Sequence, residues 1–230
     1  MLRRWPILIL AAGLLSHAAL AAEPAVRREN IEWCNIWVPE ATRTDLPRVL
    51  LIGDSICNGY HNAVEKELKG RAMVAMLATS SALGDPVLAE QVRLLMKNYQ
   101  FAVIHFNIGL HGWDYTEEEY QKEFPELLKV IRKNAAGAKL VWATSTPMRQ
   151  PAPNLGEFHP NNARVKIRNK IVVDLAAKEG IPVDDLCRLV ENHQEYWGND
   201  GVHFNAQGQA VEAKQVAHAI LDSLTNRAAN

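Results

Sequence analysis

The sequence predicts a three-layer α/β/α sandwich built on a five-stranded parallel sheet. Three observations lead there. Short runs of branched apolar residues alternate five times with longer amphipathic segments, the pattern of parallel strands joined by helical crossovers. The runs are apolar throughout, as strands covered on both faces must be. And the polar, chemistry-bearing residues fall in the segments that follow the runs, where open α/β sheets bind their ligands.

The first strand is Arg48-Val-Leu-Leu-Ile-Gly53, which runs out into Asp54-Ser55. Helical spacing is plain from Asn62 to Lys69, and Gly70 stops it. Ala72 to Leu77 is the second strand; a Thr/Ser/Gly loop and Pro86 then lead into a helix over 87–98. Phe101 to Phe106 is the third strand. Thr116-Glu-Glu-Glu opens the next helix with acidic residues in its first turn, where the helix dipole favours them. Ala138 to Ala143 is the fourth strand, and a Pro/Asn-rich loop reaches about residue 161. A helix over 163–179, a short fifth strand at Ile181-Pro-Val183, a short helix over 185–193 and a last helix over 205–224 complete the pattern.

Ahead of this domain, expected at 48–230, two segments stand apart. Met1-Leu-Arg-Arg4, an apolar run over 7–20 and small residues at Ala19 and Ala21 read as a secretory signal peptide, residues 1–21, cut after Ala21. The apolar run is shorter than the roughly 20 residues of a spanning helix, so no lasting membrane anchor is expected after cleavage. The chain is therefore expected to be secreted or periplasmic. Residues 22–47 hold Ile31, Trp33, Ile36 and Trp37. They are expected to form an irregular arm whose aromatic residues are buried against the domain; an exposed patch that binds carbohydrate or a partner is the alternative.

With 25 basic and 26 acidic side chains and no basic run, nothing suggests nucleic acid as a partner. The cysteines are three, Cys34, Cys57 and Cys187, so either one disulfide with one free thiol or three buried reduced thiols is expected. No His-x-x-x-His or His-Glu-x-x-His spacing occurs among eight histidines, so no metal is expected, and no other cofactor.

A strand that ends in Gly-Asp-Ser lifts one hydroxyl off the sheet beside a helix N-terminus, where free N–H groups favour negative charge. Ser55 is therefore the candidate nucleophile. A serine needs a base, and the base needs a carboxylate to hold its tautomer. Asp200-Gly-Val-His203 carries both at three-residue spacing. Taken alone that spacing is common. Taken with Gly53-Asp54-Ser55 and with Asn107 after the third strand, the ordered set resembles the SGNH (GDSL-type) hydrolases, a family of esterases and lipases. The resemblance spans Arg48 to Leu224 and implies the family's flavodoxin-like fold.

The resemblance further implies Ser55 as nucleophile, His203 as general base and acid, and Asp200 as its orienting carboxylate. The oxyanion would be held by the Ser55 N–H, a second-block glycine N–H and the Asn107 side chain. Gly84 matches that glycine, with Ser81 or Ala82 as alternatives. The third block departs from the family's Gly-x-Asn-Asp, reading His105-Phe106-Asn107-Ile108. Gly109-Leu-His111-Gly112 resembles exported bacterial members linked to polysaccharide breakdown. Tyr60, His111, Trp113, Arg149 and Trp197 lie in or near the same loops and are candidates to line a sugar pocket.

These readings converge on a serine esterase acting on a small-molecule or glycan ester, chiefly an O-acetyl group. The alternatives are a lipid esterase, thioesterase or acyltransferase using the same residues, and a non-catalytic carbohydrate-binding protein on this scaffold.

Overall fold

The computed structural model of the protein describes residues 26–135 and 137–225. The expected signal peptide lies outside the described residues. Among the described residues six strands form one sheet: β1 (Cys34–Trp37), β2 (Arg48–Gly53), β3 (Met73–Thr79), β4 (Val103–Phe106), β5 (Lys139–Ala143) and β6 (Val183–Asp184). Their order across the sheet is β1-β3-β2-β4-β5-β6. All neighbours are parallel except β1, which runs antiparallel to β3. Six α-helices among the described residues connect and cover them: α1 (Ser55–Glu67), α2 (Pro86–Asn98), α3 (Glu117–Asn134), α4 (Asn162–Lys178), α5 (Leu186–Val190) and α6 (Ala206–Thr225).

The pleat divides the core into two. Val49 and Leu51 of β2, with Val74 and Met76 of β3, pack under α1, α5 and α6. Leu50, Ile52, Ala75 and Leu77 point the other way, against α2, α3 and α4. Every residue of β2 and β3 is buried, which is why both read as apolar runs but for Arg48 and Thr79 at their ends. The expected α/β/α layering is thus present, and the sheet has one strand more than the five expected.

That extra strand is β1, inside the arm expected to be irregular. Its pairing sets Cys34 opposite Thr79 and Trp37 opposite Met76. The expected burial of the arm's large residues fails for three of them: Ile31, Ile36 and Trp37 are 73%, 37% and 55% exposed. An edge strand has a sheet neighbour on one side only, and here α1 covers no more than part of one face. Trp33 alone is half-buried. The three cysteines are free thiols.

α1 begins seven residues earlier than the helical spacing suggested. Asp54 caps it, Oδ1 accepting the N–H of Ile56 at 2.9 Å. Ile56, Cys57 and Tyr60 bury the first turns, so tertiary packing overrides the weak propensity of Cys-Asn-Gly. The direction of the chain reverses at β2, whose neighbours β3 and β4 follow it in sequence on opposite sides. The carboxyl ends of β2 and β4 therefore flank the crevice where such sheets place their sites. Ser55 and Asn107 follow those two strands.

The altered third block has a structural explanation. His105, fully buried in β4, sets Nε2 2.9 Å from Asp184 Oδ2 of β6, and Gln215 of α6 donates to Asp184 Oδ1 at 2.7 Å. Ile108 joins the apolar core on the opposite face. The two unusual residues thus tie β4, β6 and α6 together and fill the interior.

Beside this network lies Glu212 of α6, fully buried with neither carboxyl oxygen hydrogen-bonded. Burial pushes its pKa well up, and the nearby carboxylates of Asp54 and Asp184 push it further. The folded protein therefore keeps a proton that the unfolded chain releases above about pH 4.3. Stability falls as pH rises through that window, by up to about 1.4 kcal/mol per pH unit for this one group. Glu212→Gln is expected to remove that slope. Urea titrations of both proteins from pH 4 to 8 check this: the stability gain of the variant should grow with pH, and a constant difference would contradict it.

Candidate active site

The site is assembled from three strand ends and one C-terminal turn. Ser55 is the first residue of α1, so its N–H has no intrahelical acceptor. The preceding Gly53 is required by close approach: a Cβ there would lie 2.5 Å from Cys57 Cβ. This contact folds the chain tightly from β2 into α1 and presents the Ser55 hydroxyl at the carboxyl edge of the sheet.

The turn over 198–205 brings the partner groups to it. Asp200 Oδ1 accepts the N–H groups of Val202 and His203, each at 2.9 Å, which fixes the carboxylate. Its Oδ2 lies 2.7 Å from His203 Nδ1, and His203 Nε2 lies 2.8 Å from Ser55 Oγ. Partial burial raises the Asp200 pKa, but the hydrogen bonds from the His203 ring and the two backbone N–H groups outweigh it and hold the carboxyl below its ordinary range. An ionised carboxylate only accepts, so Nδ1 carries the ring proton. In the neutral ring Nε2 is then left to accept from the Ser55 hydroxyl. The order hydroxyl, imidazole, carboxylate is one that can activate a serine.

The turn is itself clamped. Arg149 donates its backbone N–H to Gly201 O at 2.7 Å, and Ala152 donates to Asn199 O at 2.8 Å. The Arg149 guanidinium donates to Leu155 O at 3.1 Å and to Glu191 O at 2.5 Å, and lies 4.6 Å from the centre of the Trp197 ring. Trp197 packs in turn on Phe204 at 4.8 Å. Arg149 and Trp197 are 6% and 4% exposed, and Tyr60 is 1% exposed in the core beneath α1. These three, expected to line a sugar pocket, present almost no surface to a ligand. Arg149 and Trp197 instead brace the turn that carries Asp200 and His203.

His111 and Trp113 are placed differently, in the loop after β4 and only half-buried. His111 Nδ1 lies 2.9 Å from Glu29 Oε1 of the arm, and its ring meets Trp33 edge-on at 6.2 Å. Trp113 is stacked by the guanidinium groups of Arg168 at 4.6 Å and Arg164 at 5.5 Å. Burial raises the pKa of Asp54, and its interactions with His111, the Ile56 N–H and His203 pull against it. Both imidazoles are thus within electrostatic reach of the residue before the nucleophile.

The expected oxyanion donors are unequal in placement. Asn107 lies beside Gly53, its N–H donating to Ile52 O at 2.9 Å. Its side-chain amide donates to Ala143 O at 2.6 Å and Ser145 Oγ at 3.2 Å. Asn169 holds that serine by accepting its N–H and donating to its carbonyl, each at 2.8 Å. Gly84 sits where a Cβ would meet Glu123 of α3 at 3.0 Å, while Ala82 packs against Gly112 of the His111 loop.

Sequence reasoning missed Glu29 of the arm, although it singled out Trp33, which His111 also meets. Glu29 and His111 are 82 residues apart, and no local pattern announces such a pair. Two tryptophans in a short run were the available signal.

Comparison with known proteins agrees with the geometry. A family model described as the GDSL-like lipase/acylhydrolase family matches residues 51–211. No curated protein matches the sequence. Among solved structures, the M. smegmatis aryl esterase is 15% identical at a TM-score of 0.64, covering 77% of this chain and 100% of its own. A GDSL-like lipase from Bacteroides thetaiotaomicron is 16% identical at 0.62, covering 77% and 89%. The C-terminal catalytic domain of Streptococcus pneumoniae peptidoglycan O-acetyltransferase A is 20% identical at 0.60, covering 77% and 94%. At these identities the structural likeness establishes the shared fold.

Proposed function

The chain belongs to the GDSL-like lipase/acylhydrolase family, and on that premise we propose that it is an exported serine esterase that removes short acyl groups, chiefly acetyl, from carbohydrate. The observation that carries the reading is the continuous hydrogen-bonded line from Ser55 Oγ through His203 to Asp200. Export rests on the signal-like sequence of residues 1–21.

Ser55 Oγ attacks the acyl carbon while His203 Nε2 takes its proton, and Asp200 stabilises the imidazolium. The negative charge passes to the carbonyl oxygen, held by the N–H groups of Ser55 and Gly84. The Asn107 amide joins by exchanging its longer bond, to Ser145, for the oxyanion. The C–O bond to the sugar then breaks, and His203 returns the proton to the departing hydroxyl. Water, deprotonated by His203, attacks the acyl-serine; the carboxylic acid leaves and Ser55 recovers its proton.

The short acyl group goes with the carbohydrate reading, since the esters carried by polysaccharides are chiefly acetyl. Carbohydrate is supported by the half-buried His111 and Trp113 beside the site, an aromatic wall with fixed hydrogen-bonding groups, and by the resemblance of Gly109-Leu-His111-Gly112 to polysaccharide-linked relatives.

Turnover of p-nitrophenyl acetate, butyrate and octanoate, run beside acetate release from acetylated polysaccharides, tests the reading. kcat/KM should fall with acyl length, and free acetate should appear from at least one glycan. A preference for octanoate with no acetate release would turn the assignment to lipid esters.

A further inference from the structure

Resting on that esterase reading, we infer that the exposed face between α1 and β1 is an extended glycan-binding track, with Trp37 as its aromatic platform. The track holds sugar units of the same polymer beyond the one being deacylated.

β1 side chains alternate between the two faces of the sheet, so Asn35 and Trp37 share one face. Asn35 Nδ2 donates to Asn58 Oδ1 at 2.8 Å, which identifies that face as the one covered by α1. Asn58 lies one turn beyond Ser55, and Asn62 one turn beyond Asn58, on one side of the helix. Because β1 is antiparallel to β3, it runs away from the carboxyl edge of the sheet, as α1 does. Two residues of strand advance about 7 Å, and four residues of helix about 6 Å. Trp37 therefore keeps level with Asn62, on the order of 10 Å from Ser55 along the helix axis.

Asn35, Asn58, Asn62 and Trp37 are all exposed. Among the described residues Trp37 is the only exposed tryptophan; Trp142 and Trp197 are buried, and Trp33 and Trp113 are half-buried. An indole left open beside three uncharged amides matches the needs of a pyranose chain. The C–H face of a sugar packs on the ring and its hydroxyls bond to the amides. No charged residue stands between Ser55 and Asn62 on this side of α1; charge begins beyond Asn62, where Arg43, Glu65 and Lys66 border it. The strip is continuous with the nucleophile, which orients the occupant: a polymer whose acyl-bearing unit sits at Ser55. Asn35 and Trp37 lie outside the segment matched by the family model, and Asn58 and Asn62 lie within it.

Acetylated β-1,4-linked oligosaccharides, from the monosaccharide upward, test the track against p-nitrophenyl acetate. Wild-type kcat/KM should rise with chain length. Trp37→Ala should raise KM for the longer substrates about tenfold, leave p-nitrophenyl acetate turnover unchanged, and be largely rescued by Trp37→Tyr. An unchanged KM at every length overturns the track while the esterase reading stands. So does loss of self-association in Trp37→Ala with KM unchanged, since a second copy of the chain would then be the occupant. If the wild type itself lacks esterase turnover, the esterase reading fails. Tryptophan fluorescence on titration with deacetylated oligosaccharides still decides the track: a change in wild type that Trp37→Ala abolishes supports it, and no change overturns it.

Discussion

Ser55→Ala is expected to lower kcat for p-nitrophenyl acetate by on the order of 10⁴–10⁶ without disturbing the fold. The hydroxyl is the group in the line placed to attack the acyl carbon, with His203 behind it as base. Its removal leaves His203 and Asp200 in place but with nothing to activate. Asp54 still caps α1 through the Ile56 N–H, so helix and sheet are unaffected. His203→Ala should cost about as much, and the double variant little more, because the two act as one unit. Stopped-assay rates and thermal melts of the three variants check this. Near wild-type activity in either single variant, or fully additive losses, would contradict the arrangement.

Gly201→Ala should damage the site without touching a reacting atom. Gly201 has φ +73°, a conformation that costs other residues roughly 1–2 kcal/mol. A Cβ there would also lie 2.4 Å from Arg149 O and 2.6 Å from Gln150 O. Both obstacles are backbone, and Arg149 is locked by its own bonds, so the Asp200–His203 turn must move instead. A displacement of about 1 Å at His203 is enough to lower kcat by on the order of 10². The stability loss should be about 3 kcal/mol. Gly70→Ala is the control: Gly70 has nearly the same φ, +74°, with nothing within 4 Å of the added atom. It should cost about 1 kcal/mol and leave kcat unchanged. Equal effects of the two substitutions would show that backbone strain, and not the clamp, sets the cost.

The parts of this protein legible in its sequence are those governed by local rules. β2 and β3 announce themselves because strands buried on both faces are apolar along nearly their whole length. Asp200 and His203 are legible as a pair because one turn brings them together. β1 was not legible: four exposed residues pair with a strand some forty positions away, and only that partner defines them. Tyr60, Arg149 and Trp197 show a second limit. Lying in or near a carboxyl-end loop fixes where a backbone is, but not which way its side chain turns, and these three turn inward. The departures at His105 and Ile108 look like damage to a motif until Asp184, Gln215 and the opposite core are seen around them. The Glu29–His111 contact is the converse case, a surface pairing of distant residues that no spacing could foretell.

The central claim is that Ser55 carries the acyl group. The direct measurement is mass spectrometry of the protein quenched in acid during steady-state turnover of p-nitrophenyl acetate, followed by peptide mapping. One acetyl group on the peptide holding Gly53-Asp54-Ser55, absent from Ser55→Ala, is the predicted result. Turnover with no acetyl on Ser55, or with the acetyl on another residue, would contradict the account.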